Sequence, residues 1–285
     1  MKLSDIVSRL NATPAPAPAV APKGTATRFE TAVFDVIQRD HCTKTRAKTS
    51  PSPDNTQIYL RCSELPKFVE FPDRMKDLRS LRDLTEAPKA NVIGAQLNFD
   101  VGHAVHGWWQ NQYLTRLTGE FTLWGHWRCG RCDLSSVADG VVKKKPVTCS
   151  GCGCSTALSY EEVTVRNDKL RLSGHPDALL GEDKPKMIGE IKTIGSDRWE
   201  KINGPPFENR VQTHAYMFAT GLREVVYCYV DKGKQSLWRR ENDGTFTIVG
   251  EPRVKFFHEE FDSALGQRIE DTLKEFWAIV AKLPA

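Results

Sequence analysis

The chain has 285 residues, 40% apolar and 27% charged, with a formal net charge of +4. That length suits one large domain, or one domain with an insertion, and the composition is ordinary for a soluble globular protein. The mild basicity permits nucleic-acid binding without requiring it, and no apolar run approaches the roughly 18 residues of a membrane span. Residues 1–10 show no signal-peptide pattern. Several of the eight cysteines have metal-ligand spacing, so a reducing cytoplasm is the expected compartment, in a bacterial or phage-infected cell.

In residues 1–10, Leu3, Ile6, Val7 and Leu10 share one helical face. Residues 11–28, rich in Ala, Pro and Thr, read as an extended linker. So short a helix is marginal alone in water. The favoured expectation is a frayed tail or a helix folded back on its own domain. Docking on a protein partner is the alternative. Helices are expected at 29–39, 66–83 and 91–117, with a loop at 41–57. Cys42 and Cys62 read as ordinary thiols. On the 91–117 helix His103 and His106 lie three apart, on one face, and Trp109, Gln110 and Tyr113 continue the stripe.

Residues 124–160 carry a different pattern. Cys129 and Cys132 form one C-x-x-C knuckle, and sixteen residues later Cys149 and Cys152 form a second. Two such knuckles put four thiolates on two tight turns, the layout of a structural Zn²⁺ ribbon. Cys154 is a spare that could stand in for Cys152. Lys143, Lys144 and Lys145, with Arg128 and Arg131, could grip phosphates from a basic tip, or form an ordinary solvated loop.

Residues 169–172 and 187–193 alternate in polarity around the turn formers of 181–186, which predicts a β-hairpin. A symmetric fold centred between Asp183 and Lys184 sets Asp177 opposite Glu190, with Cβ atoms about 5 Å apart. Two carboxylates that close repel and favour a cation between them. Lys192 shares the face, while Ile191 points into a core and leaves its carbonyl near the same spot. Such hard oxygens suit Mg²⁺ or Mn²⁺. Beyond the hairpin come a loop at 198–206, a helix at 208–220 ended by Gly221, and a buried strand at 224–230 holding Cys228. A hairpin at 236–240 and 245–249 turns through Asn242-Asp243-Gly244. A strand at 254–258 and a helix at 261–283 close the chain. Gln212 and Tyr216, four apart, share one face of the 208–220 helix.

Pro176-Asp177 followed by Glu190-Ile191-Lys192 resembles the signature of the PD-(D/E)XK nucleases, and Gly174-His175 and Thr193 resemble its RecB-like exonuclease branch. Residues 102–106, Gly-His-Ala-Val-His, are similar to the upstream G-x-x-x-H motif of that branch, and Gln212 to Tyr216 to its downstream Q-x-x-x-Y motif. The resemblance covers roughly residues 95 to 230. It implies an α/β fold with a restriction-endonuclease-like core, a central mixed sheet flanked by helices, spanning 29–285 with the zinc ribbon inserted at 124–160. It further implies that Asp177, Glu190, the Ile191 carbonyl and His106 hold Mg²⁺ or Mn²⁺. Lys192 would act on the attacking water, and Gln212 and Tyr216 would orient Lys192 or the DNA. His103 is a bystander, and His175 shapes the turn.

The sequence departs from the CRISPR-associated relatives, which carry a cysteine trio near the C-terminus. None follows Tyr216, so an iron–sulfur cluster is not expected. The expected activity is a metal-dependent DNA exonuclease at linear duplex ends, serving recombination, repair or phage DNA processing. Two alternatives are a structure-specific or nicking endonuclease and a catalytically silent zinc-ribbon module that binds nucleic acid. RNA as substrate, digestion polarity and oligomeric state stay open.

Overall fold

The computed structural model describes residues 49–51, 57–85, 93–136, 141–233, 237–240, 242, 246–249 and 253–284. The helices expected at 1–10 and 29–39, the linker between them and Cys42 lie outside the described residues. The chain divides into two compact units. Of the first, residues 1–45 and 89–96, only 93–96 are described, as helix. The second, residues 46–88 and 97–285, carries the sheets and the core.

Its centre is a mixed sheet. β3 (Leu123–Cys129), β4 (Val142–Lys143), β8 (Ala178–Leu180), β9 (Met187–Ile194), β10 (Glu224–Asp231) and β13 (Val254–Glu260) lie in the order β13-β10-β9-β8-β3-β4. β5 (Leu158–Glu161) also pairs with β3. β9 and β10 run parallel, and the other pairs of this sheet are antiparallel. The parallel pair needs a long crossover, which α4 (Ser196–Lys201) and α5 (Phe207–Thr220) supply. Alternation along β9 sorts its side chains onto two faces. Ile188 enters a core with Val211, Ala215 and Met217 of α5, and Ile191 packs on the other face with Cys228, Val105 and Trp109.

α6 (Ser263–Val280) closes the first face through Leu265, Ile269, Leu273, Phe276 and Val280, spaced at helical intervals. Burying each such side chain contributes about 1.5–3 kcal/mol. Asp262 caps α6 by accepting from the backbone N–H of Ala264 and Leu265.

A second, four-stranded sheet was not anticipated. It has the order β1-β2-β7-β6, from β1 (Thr49–Pro51), β2 (Ile58–Arg61), β6 (Val165–Asn167) and β7 (Leu172–Gly174). The predicted hairpin is therefore corrected in its first arm. Residues 168–171 are a turn, and the strand beginning at Leu172 pairs with β2 and β6, not with β9. The Asn167 side chain accepts from Leu170 N–H, and Arg171 adopts φ +51°, which ties this turn locally. The second arm keeps the expected register: Ala178 faces Gly189 and Leu180 faces Met187.

The helix predicted at 66–83 is broken into α1 (Pro66–Glu70), a 3-10 turn at Pro72–Asp77 and α2 (Arg82–Thr85). Pro72 disfavours helical backbone at Phe71, which sits at ψ 76°. The next helix is α3 (Ile93–Gln112), and 196–201 is helical where a loop was expected from 198. β11 (Leu237–Arg240) and β12 (Phe246–Val249) pair as the predicted hairpin. Among the described residues no helix is long and apolar enough to cross a membrane.

Candidate active site

Residues 175–177 carry the chain from the small sheet into β8 of the central sheet. Asp177 sits at this crossing, and one step beyond Ala178–Gly189 in the register it stands opposite Glu190. The crossing needs a glycine beside it. A Cβ on Gly174 would meet the Tyr216 ring at 2.5 Å and the Cys62 sulfur at 3.0 Å. Asp177 Oδ2 accepts from the Ile191 N–H at 2.6 Å, and its Oδ1 lies 3.3 Å from His106 Nδ1. In an extended residue N–H and C=O point to the same side, so the Ile191 carbonyl faces this edge as well.

Glu190 is 2% exposed. Its Oε1 pairs with Lys192 Nζ at 2.7 Å, while its Oε2 is buried without a hydrogen-bond partner. Lys192 also donates to Gln212 Oε1 at 3.0 Å, and Gln212 Nε2 donates to the Tyr216 hydroxyl at 2.8 Å. The Q-x-x-x-Y pair thus forms a relay that fixes Lys192. Tyr216 is 4% exposed and packs in the core.

Burial pushes the Glu190 carboxyl up to about 7, against the pull of Lys192. Burial works to lower Lys192, but the Glu190 and Asp177 charges outweigh it and hold the amine above its ordinary range. His106 behaves alike: burial opposes its charged form, and the bond to Asp177 raises it overall.

A divalent cation of the kind the resemblance implies fits these residues. The buried Glu190 Oε2 has no hydrogen-bond partner, and the donors are carboxylates with an imidazole beside them. Among the described residues only one group gathers three or more ligating side chains within 4.8 Å, and it is the cysteine set. The carboxylate centre is looser, which matches ions that keep several waters.

The four cysteines Cys129, Cys132, Cys149 and Cys152 converge. Cys129 and Cys152 sulfurs are 3.7 Å apart, and Cys132 and Cys149 sulfurs 3.6 Å. Tetrahedral ligands about 2.3 Å from a zinc ion stand about 3.8 Å from one another, so the cluster could bind a metal such as zinc. The two knuckles repeat one geometry. Asp133 N–H bonds Cys129 O as Gly153 N–H bonds Cys149 O, and Asp133 (φ +57°) and Gly153 (φ +69°) take the same left-handed conformation. The backbone N–H groups of Cys132 and Cys152 pull the Cys129 and Cys149 thiols below their ordinary range, the latter to about 7. Cys154 turns instead to the Thr156 hydroxyl. Lys143 lies in β4, paired with β3 at the sheet edge.

His103 is exposed, and the His175 ring bonds the Thr164 hydroxyl at 3.0 Å. Gln110 was missed as a site residue. At 5% exposed, its Nε2 donates to the Asp177 carbonyl at 2.9 Å and to Glu162 Oε1 at 3.0 Å, which tethers α3 to the crossing. Its position one turn after His106 was the available signal.

No protein-family description matches the sequence, and no curated protein is similar to it. Among solved structures, the fold is similar to an alkaline exonuclease from Laribacter hongkongensis at 21% identity and a TM-score of 0.31. The match covers 42% of this chain and 56% of that one, so the chain spans just over half of that exonuclease. The same exonuclease in complex with dAMP matches at 22% identity and a TM-score of 0.31, covering 42% and 55%. A protein designated SSO0001 is similar over 87% of this chain and 88% of its own, at 12% identity and a TM-score of 0.37. At that level of superposition, the chemistry rests on the site's own geometry.

Proposed function

We propose that the chain is a metal-dependent deoxyribonuclease that hydrolyses phosphodiester bonds at linear duplex ends. The observation that carries the reading is the buried, partnerless Glu190 Oε2 beside Asp177 and next to the Lys192–Gln212–Tyr216 relay. Burying such an oxygen without a partner is costly, and a cation at this point removes the cost.

Asp177 Oδ1 and Glu190 Oε2 would hold Mg²⁺ or Mn²⁺, with His106 and the Ile191 carbonyl at the rim. Such an ion polarises a scissile phosphate and acidifies a bound water. Lys192 brings a fixed positive charge to the negative charge that develops on the phosphate. Gln212 aims that ammonium, and Tyr216 holds Gln212 from the core. The cysteine cluster would take a structural Zn²⁺ and perform no chemistry.

The test is digestion of end-labelled linear duplex beside a covalently closed circle, with Mg²⁺ or Mn²⁺, for the wild type and Lys192→Ala. Loss of the linear DNA alone, abolished by the substitution and by chelator, is the expected result, and the labelled end gives polarity. Cleavage of the circle would make the enzyme an endonuclease. DNA bound but uncut by wild type would leave a binding module.

A further inference from the structure

A cleft of about 600 Å³ lies beside the carboxylate centre, its lining including Gln110, His126, Glu161, Glu162, Arg166 and His175. Its size falls within the range of ligand pockets. Two of its walls belong to the site already described. Gln110 bonds the Asp177 carbonyl, and His175 stands two residues before Asp177. A third wall comes from the ribbon strands β3 and β5, where His126 faces Glu161 in register.

The hydrogen-bonding state of this lining points to a ligand. Glu161 is engaged by Arg128 at 2.7 Å and by the Ser135 hydroxyl, and Glu162 accepts from Gln110. Glu161 is thus paired with a cation, and Glu162 is held by a neutral amide. Two groups are unspent. His126 is 7% exposed and its Nδ1 has no hydrogen-bond partner. Arg166 is exposed, and no ion pair or hydrogen bond among the described residues takes up its guanidinium. A guanidinium presents a planar fork of donors that suits phosphate oxygens. The neighbouring imidazole, amide and carboxylates offer both donors and acceptors, as the sugar and base of a nucleotide require.

We propose that this cleft binds one nucleotide of the substrate strand outside the reacting position. Arg166 holds its phosphate, and the ribbon wall carrying His126 faces its nucleoside. The assignment rests on the nuclease reading for the identity of the strand. It gives the ribbon a second part to play: zinc would hold a wall of the substrate groove as well as a fold.

The experiment uses the full chain carrying Lys192→Ala, in metal-free buffer with zinc retained, and a fluorescent blunt duplex read by anisotropy over a salt series. Adding Arg166→Ala is expected to weaken binding about tenfold. It should also make the slope of log K against log salt shallower by about 0.9, the signature of one lost phosphate contact on duplex. Arg166→Lys should restore part of both. His126→Gln, with an unchanged thermal midpoint, should weaken binding about threefold and leave the slope alone. Unchanged affinity and slope in Arg166→Ala would overturn the proposal, as would a wild type that binds no duplex. Cleavage is scored separately on chains with Lys192 intact. Wild-type digestion with Arg166-independent binding removes the cleft and keeps the nuclease. Arg166-dependent binding without digestion does the reverse.

Discussion

The cysteine cluster and the carboxylate centre are two answers to the same problem of gathering like-charged ligands. In the cluster, each pair of sulfurs sits on one tight turn closed by its own backbone hydrogen bonds, and only the meeting of two turns is long-range. In the centre, His106 comes from α3, Asp177 from a crossing between sheets, Glu190 and Lys192 from β9, and Gln212 and Tyr216 from α5. The first is local and closed, four cysteines that could hold a metal such as zinc. The second is assembled by the whole fold, and Lys192 already supplies a positive charge to Glu190. Ribbon substitutions should therefore act on stability first, and centre substitutions on chemistry first.

The sharpest break between the two comes from Asp177→Asn. Cleavage should fall at least a thousandfold, about 4 kcal/mol of transition-state stabilisation, while the thermal midpoint stays near that of the wild type. A fall in midpoint parallel to the activity loss would erase the distinction. Cys132→Ser makes the opposite case. Zinc released on denaturation, read with a colorimetric chelator, should drop from one ion per chain, and stability should fall by on the order of 3 kcal/mol, or about 5 °C. Its effect on cleavage should stay well below that of Asp177→Asn.

Tyr216→Phe sharpens the relay. It removes the hydroxyl that accepts from Gln212, a loss of about 1 kcal/mol, so kcat should fall about fivefold with KM little changed. An equal rise in KM would place Tyr216 in binding instead. The smallest effect concerns neither site. His214 Nδ1 bonds the Arg210 carbonyl and its Nε2 accepts from Asp262 N–H, and burial depresses its imidazole below the ordinary range. As pH falls below about 6.5, the unfolded chain takes up a proton that the folded chain resists, so this share of stability is present above that pH and is lost below it. Urea unfolding at pH 7.5 and 5.5 should show a smaller loss for His214→Gln than for the wild type.

Much of this contrast could be read from the residues. The knuckles announce themselves because their spacing is local, and Cys152 rather than the spare Cys154 completes the set. The register that opposes Asp177 and Glu190 followed from the centre of the 181–186 turn. The four-residue interval joining Gln212 to Tyr216 was equally plain, though which of the two met Lys192 was not. What escaped depends on partners distant in sequence. β7 resembles an arm of the β9 hairpin until β2 and β6 are present to take it, and Gln110 gains its role only when Asp177 and Glu162 arrive from more than fifty residues away. The 66–83 helix failed for a local reason, Pro72, whose effect on Phe71 the apolar pattern hid.

The exposed turn at 182–184 has one more consequence. It separates His106 and Asp177 on its N-terminal side from Glu190, Lys192, Gln212 and Tyr216 on the other. A chain divided there becomes two complementary fragments, each holding one carboxylate of the centre. Recovery of the centre would then report reunion of the halves, making this turn the natural seam for a split reporter.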